Sequence, residues 1–268
     1  MSVQVAISKA EDWSHFFVRK TRKVLPVIGR LLLISTFFED GIRLLFNTAD
    51  HAQHFASLWS FNYQFLYSVT LLTGISLLVG SLLVMLRIKM SYSCGLLAFV
   101  IVLQVLMYQL YTTYHLFTRN LSVLSGLLLL YTENLMQKPK KFDQLPRDGG
   151  DFEMSSFVLF ACRMFLNLML VSMMHFDLSY KRLSLCLISY AMMISLWCGF
   201  KTRLMSLLLA TWLLAYNMAA NDFWNRPDHE NHIIRYDFFQ ALSTIGGLLL
   251  MIETGPGELS VDEYKKKW

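Results

Sequence analysis

The chain has 268 residues, of which 55% are hydrophobic and 16% are charged, and its net charge is +5. The mean hydropathy of +0.43 excludes an ordinary soluble domain and predicts an all-α, polytopic membrane protein. All four cysteines lie in apolar runs, so we expect neither a disulfide framework nor a metal site.

Residues 1–23 are mixed and charged, and they lack the apolar core and small-residue cleavage site of a signal peptide. We interpret this stretch as a cytosolic N-terminal segment. The first membrane helix is then expected to direct insertion.

Eight apolar stretches follow, each close to the length of about 20 residues that crosses a bilayer core. They are residues 24–46, 62–86, 92–115, 119–136, 154–176, 183–200, 203–220 and 234–254. The first is a weak candidate because it contains Arg30, Glu39 and Asp40, and the fourth because it is short. A polar linker at 137–153 separates two four-helix halves, 24–136 and 154–254, and residues 255–268 form a tail.

Lysine and arginine are unevenly divided over this arrangement. With a cytosolic N-terminus and eight spans, sixteen of these residues fall on the cytosolic side and six on the other, and two lie within spans. Basic residues favour the cytosolic side of a membrane protein. The distribution therefore predicts that both termini are cytosolic.

An internal similarity supports the division into halves. Moving the segment from Leu242 to Leu250 back by 121 residues places it on Leu121 to Leu129, with Ser243 on Ser122 and Gly247 on Gly126. Leucine matches are common among membrane helices, so the serine and glycine matches carry the inference. They predict two parallel repeats of four helices.

The last span has a polar edge. Asp237, Gln240, Thr244 and Gly247 follow helical spacing and share one face, which we expect to look into the bundle. Two interpretations remain open for this face. It forms either a satisfied interhelical hydrogen-bond network or the wall of a luminal cavity.

Carboxylates gather on the predicted luminal side. Glu39 and Asp40 lie within helical reach of Arg43, which leaves one acid over, and Asp177 follows near the end of the fifth span. Such a mouth either captures the free N-terminal amine of a peptide or is an ordinary solvated rim.

Arg30 and Arg163 occupy corresponding places, about two turns inside the first span of each half. Snorkelling to the cytosolic interface is the simplest interpretation of both. We find no nucleophile, phosphate-loop or metal-ligand motif, so we expect neither an enzyme nor a cofactor.

The chain ends in K-K-K-W. Lys265 and Lys266 stand fourth and third from the C-terminus, the positions of a dilysine retrieval signal that is read by a cytosolic coat. A basic patch that contacts lipid headgroups is the alternative interpretation.

Four blocks together resemble the surfeit locus protein four family of endoplasmic reticulum (ER) cargo receptors. They are L-I-S-T-F-F-E-D-G-I-R from Leu33, Y-D-F-F-Q-A-L-S-T-I-G-G-L-L-L from Tyr236, G-P-G-E-L-S-V-D-E from Gly255, and the terminal K-K-K-W. The resemblance implies a receptor in the ER membrane that loads soluble secretory proteins into COPII vesicles. It further implies return from the ER-Golgi intermediate compartment and Golgi by COPI through Lys265 and Lys266.

Under this resemblance, a set of polar residues is expected to line a luminal cargo pocket: Glu39, Asp40, Asp177, Tyr236, Asp237 and Gln240. The expected partners are cargo, both coats and the lipid bilayer. A homo-oligomer is compatible with this reading, and no nucleic acid is expected. A multi-pass transporter or channel for a small solute is the alternative function, since duplicated bundles with buried charges also form conduits.

Overall fold

The structure is a computed structural model that describes residues 16, 20–21, 24–137, 157–168, 180–225, 228–255 and 260–266. All regular structure in these residues is helical. The α-helices are α1 (Leu25–Phe46), α2 (Thr48–Trp59), α3 (Tyr63–Met85), α4 (Met90–Met107), α5 (Tyr114–Gln137), α6 (Phe157–Leu168), α7 (Tyr180–Cys198), α8 (Thr202–Ala220), α9 (Asp228–Thr254) and α10 (Val261–Lys266). Each of the eight predicted stretches overlaps one of these helices.

Three of the described helices are long and apolar enough to cross a membrane. They are α3 with a mean hydropathy of 2.1, α4 with 2.0 and α8 with 1.2. Their outer faces expose large apolar side chains, including Leu72, Phe99 and Leu208. Because so large an exposed apolar surface is unfavourable in water, we treat the chain as a multi-pass membrane protein.

Helix α9 lies at the centre of the bundle and packs against α1, α5 and α8. Its residues 243–252 are all buried, so the helix is enclosed on every side rather than along one predicted face. Glycine allows the closest approach: a Cβ on Gly246 would lie 2.5 Å from the carbonyl oxygen of Gly29 and 2.6 Å from the nitrogen of Leu33. The backbones of α1 and α9 can therefore touch at this crossing.

Two boundaries differ from the sequence prediction. Residues 48–59 lie between two predicted spans and form α2, because Ala52 and Phe55 provide an apolar face that packs against α3. The predicted span 92–115 ends early, at Met107, and a short 3-10 turn follows. The Trp59 indole stabilises this end by donating a hydrogen bond of 3.0 Å to the Met107 carbonyl oxygen. We call this side of the bundle the α2 end.

The turns between α3 and α4 and between α7 and α8 have matching backbones. Positive φ angles occur at Arg87 (58°) and Lys89 (45°) in the first turn, and at Gly199 (69°) and Lys201 (48°) in the second. The residue between each pair donates its N–H to the carbonyl five residues back, at 3.0 Å from Ile88 and 2.9 Å from Phe200.

Candidate functional site

A cavity of about 480 Å³ opens at the α2 end between α1, α5, α9 and the segment after α4. Its volume lies within the range of pockets that enclose small ligands. Its lining residues are Asp40, Arg43, Gln104, Tyr108, Leu110, Leu116, Arg119, Asn120, Tyr236 and Asp237. Three of the six residues that the sequence assigned to a pocket, Asp40, Tyr236 and Asp237, are among them.

Helix α1 brings a carboxylate and a guanidinium to this cavity one turn apart. The Arg43 guanidinium lies 2.7 Å from Asp40 Oδ1 and 3.9 Å from Glu39 Oε2. The central carbon of the Arg43 guanidinium lies 5.6 Å from the centre of the Tyr236 ring. Arg43 therefore pairs with carboxylates of its own helix and ties α1 to α9 through the cation–π contact.

The other carboxylates of the cluster also face arginines. Asp237 pairs with Arg119 of α5, and Glu39 pairs with Arg235 at 3.0 Å. The sequence analysis predicted an excess of acid at this mouth, and it did not assign Arg119 to the site. Because Glu39, Asp40 and Asp237 are each paired, an incoming amine has to displace an arginine to bind one of them.

Gln240 lies one turn below Tyr236 on α9 and is only 1% exposed. Its Nε2 donates a hydrogen bond of 2.6 Å to the Tyr236 hydroxyl, and its Oε1 has no hydrogen-bond donor among the described residues. An unsatisfied buried amide oxygen is costly, on the order of 1–3 kcal/mol. The sequence left two interpretations of this helix face, a satisfied hydrogen-bond network and the wall of a cavity. The first does not account for the Gln240 amide oxygen.

Tyr108 forms part of the cavity wall and was missed by sequence reasoning, because it lay inside a predicted span. Its hydroxyl is 3.0 Å from His51 Nδ1, and its ring meets Phe55 edge-on at a centroid distance of 4.6 Å. The early end of α4 at Met107 brings Tyr108 to the cavity. An aromatic residue at the end of an apolar run was the available signal.

Arg30 and Arg163 lie away from this cavity. Arg30 is about 15 Å along α1 from Asp40, which follows from the rise of a helix. It is 5% exposed and its guanidinium lies 3.6 Å from Glu133, a partner that the sequence analysis missed. Arg163 is 1% exposed, beside Gly199 in the second turn. Both side chains are buried among protein groups, and their snorkelling toward the cytosolic interface stays a prediction.

Lys265 and Lys266 are the last residues of α10, a helix that Asp262 anchors to the turn before α8. The Asp262 carboxylate accepts hydrogen bonds from the backbone N–H of Lys201 at 2.7 Å and of Thr202 at 2.9 Å. Its own N–H donates to the carbonyl oxygen of Gly199 at 3.1 Å.

Asp177, the remaining predicted pocket residue, lies outside the described residues.

The apolar helices define a multi-pass membrane protein with a polar cavity at one end of its bundle. The SURF4 family profile matches residues 4–268, so the chain belongs to the SURF4 family. This agrees with the resemblance noted from the sequence blocks.

Individual relatives cover nearly the same length. A Caenorhabditis elegans protein, T02E1.7, is 60% identical over all of both chains. The Surfeit locus protein 4 homolog of Drosophila melanogaster is 34% identical over 98% of this chain and 97% of its own. The ER-derived vesicles protein ERV29 of Saccharomyces cerevisiae is 32% identical over 93% of this chain and 79% of its own. No solved structure matches the chain.

Proposed function

We propose that this protein is a cargo receptor of the ER membrane. It binds soluble secretory proteins in the lumen, enters COPII vesicles, and returns by COPI through Lys265 and Lys266. Membership of the SURF4 family and similarity to an ER-derived vesicles protein support this role. The single observation that carries it is the cavity of about 480 Å³, whose wall combines paired charges with Tyr108 and Tyr236.

Eight spans in two parallel repeats are part of this proposal, and corresponding contacts support it. A Cβ on Gly126 would lie 2.3 Å from the Leu33 side chain, and one on the matching Gly247 would lie 2.7 Å from the Leu166 side chain. Leu33 and Leu166 each follow the buried arginine of their half by three residues. The matching turns before α4 and α8 agree with the same duplication.

The cavity and the terminal lysines lie at opposite ends of α8. Asn217 donates a hydrogen bond of 3.1 Å to the carbonyl oxygen of Phe238, one residue after the cavity-lining Asp237. Thr202, which Asp262 caps, is about 22 Å further along the helix. A cytosolic tail therefore implies a luminal cavity, which is the polarity that a cargo receptor needs.

The transporter alternative needs a continuous polar path through the bundle. Between the cavity and Arg30, the core cluster contains Leu33, Leu127 and Leu130, each no more than 2% exposed. This apolar layer favours a one-sided binding site over a conduit.

Chemical cross-linking in cells, followed by purification of this protein, is expected to recover a set of secreted proteins. Leu116→Trp should reduce that set several-fold, because the larger side chain fills part of the cavity without removing an ion pair. Leu82→Trp, on an outward-facing part of α3, is the matched control and should leave recovery unchanged. Recovery that is equal for both variants would remove the cavity from the proposal.

Replacing Lys265 and Lys266 together by serine is expected to move the steady-state protein from the ER toward the Golgi, because the coat loses both charges that it reads. Lys140 and Lys141, a second lysine pair in the linker, provide the control. Imaging against compartment markers measures the shift. Reticular localisation of the tail variant would contradict retrieval through these lysines.

A further inference from the structure

Tyr108 separates two spaces inside the α2 end. Together with Gln104 it lines both the main cavity and a smaller, mainly apolar recess between α3, α4 and Phe55 of α2. The ring is positioned by the edge-on contact with Phe55, and the hydroxyl by its hydrogen bond of 3.0 Å to His51. Because the recess holds only about 10 Å³, it adds no room for a ligand, and Tyr108 forms the wall between it and the main cavity.

His51 is the group that holds the Tyr108 hydroxyl, and charged groups approach it from several elements. Arg43 faces it from α1, and Asp50 and His54 face it from α2 itself. Tyr108 faces it from the segment after α4, with ring centroids 5.8 Å apart. Arg43 also holds Asp40 in the cavity wall, so a charge gained on His51 acts on both parts of that wall.

The hydrogen bond between His51 and Tyr108 depends on protonation. A neutral imidazole accepts the phenol hydrogen at Nδ1, whereas an imidazolium is a donor at both nitrogens. Burial lowers the pKa of His51 below its usual value, and the Arg43 charge lowers it further, while Asp50 opposes this. Neutral His51 therefore stabilises the arrangement in which Tyr108 is held in the wall, and this stabilisation is fully present above the ordinary pKa of histidine. It is lost as the pH falls through the lowered pKa of His51.

We propose that neutral His51 holds Tyr108 in the cavity wall, and that protonation of His51 releases Tyr108 so that bound ligand is discharged in acid. The inference rests on the proposed receptor function, since the discharged ligand is the luminal cargo. Imidazolium next to Arg43 is stable only when α2 moves His51 into water, and this movement withdraws the partner of the Tyr108 hydroxyl.

Opening of the wall can be measured without any cargo. In the full-length purified protein, Leu116→Cys places a thiol in the cavity wall, and its labelling rate by N-ethylmaleimide is measured at about pH 7 and about pH 5.5. The labelling rate of the chain without this cysteine is subtracted. The reactivity of any thiol falls in acid, so a reference is needed. The labelling rate of Leu116→Cys is therefore divided by the rate of the double variant Leu116→Cys with His51→Gln at the same pH, and we call this quotient the relative labelling rate.

The relative labelling rate is expected to rise several-fold in acid. His54→Gln is the matched control: this more exposed neighbour has its ring centroid 6.4 Å from the Tyr108 ring, and its substitution should preserve the rise. Tyr108→Phe keeps the ring but removes the hydroxyl, so it should abolish the rise and label faster at neutral pH. If His51→Gln fails to fold, Tyr108→Phe replaces it as the reference chain, and the rate of the parent divided by that of Tyr108→Phe should rise in acid. A relative rate that does not change with pH overturns the proposal.

A second measurement concerns cargo. Secreted proteins held by the parent chain at neutral pH should be released when the complex is washed at about pH 5.5, and His51→Gln should retain them. Equal release from both chains overturns the role of His51. If no secreted protein is captured at neutral pH, the receptor function fails, whereas the labelling result still decides whether His51 controls the wall.

Discussion

Replacing Glu133 by leucine is expected to lower the free energy of unfolding by about 3–5 kcal/mol, because it leaves Arg30 as a buried cation without its carboxylate. Both side chains are at most 6% exposed, and their charged atoms lie 3.6 Å apart. The remaining hydrogen bond of Arg30, to the Pro26 carbonyl oxygen, involves no opposite charge. Thermal unfolding in detergent should show a midpoint lowered by roughly 10 °C.

The double variant Arg30→Met with Glu133→Leu provides the control for this pair. It removes both charges and keeps apolar volume, so we expect a midpoint close to that of the parent. If the double variant is as unstable as the sum of both single changes, the pair contributes nothing beyond packing and the expectation is wrong.

The second large effect concerns Asp237. Asp237→Leu should cost about 3 kcal/mol, because Arg119 is 4% exposed and loses the carboxylate that neutralises it. Adding Arg119→Met should restore the thermal midpoint. It should not restore recovery of secreted proteins in the cross-linking experiment, because the polar wall of the cavity is then gone. This separates a role in binding from a role in stability.

Arg235→Met is the matched comparison on the same helix. Its side chain is 35% exposed, and its partner Glu39 also lies near Arg43, so the loss should stay within about 1 kcal/mol. A cost for Arg235→Met as large as that for Asp237→Leu would show that burial does not control the strength of these pairs.

The sequence was a good guide wherever one helix contains the whole signal. Apolar length predicted the positions of α3, α4 and α8, and helical spacing predicted the pairing of Asp40 with Arg43. Burial of Gln240 and Thr244 also followed from their spacing. The eight spans, their orientation and the pocket as a cargo site stay predictions.

Partners on different helices could not be predicted in the same way. Arg119 and Asp237 are separated by 118 positions, and nothing in the local pattern of either helix specifies which residue faces it. Tyr108 reached the wall only because α4 ends at Met107. Helix α2 formed between two predicted spans because α3 covers its apolar face.

By itself, the sequence determined that this chain is an all-helical membrane protein of the SURF4 family, because apolar length and contiguous motifs are local properties of the chain. Only the tertiary structure decided that Asp237 pairs with Arg119, that Glu39 pairs with Arg235 and that Tyr108 lies in the cavity wall. The two ion pairs depend on how α1, α5 and α9 cross, and crossing is set by close contacts such as Gly29 with Gly246. Such contacts join residues that are far apart in sequence, so no single segment contains the information.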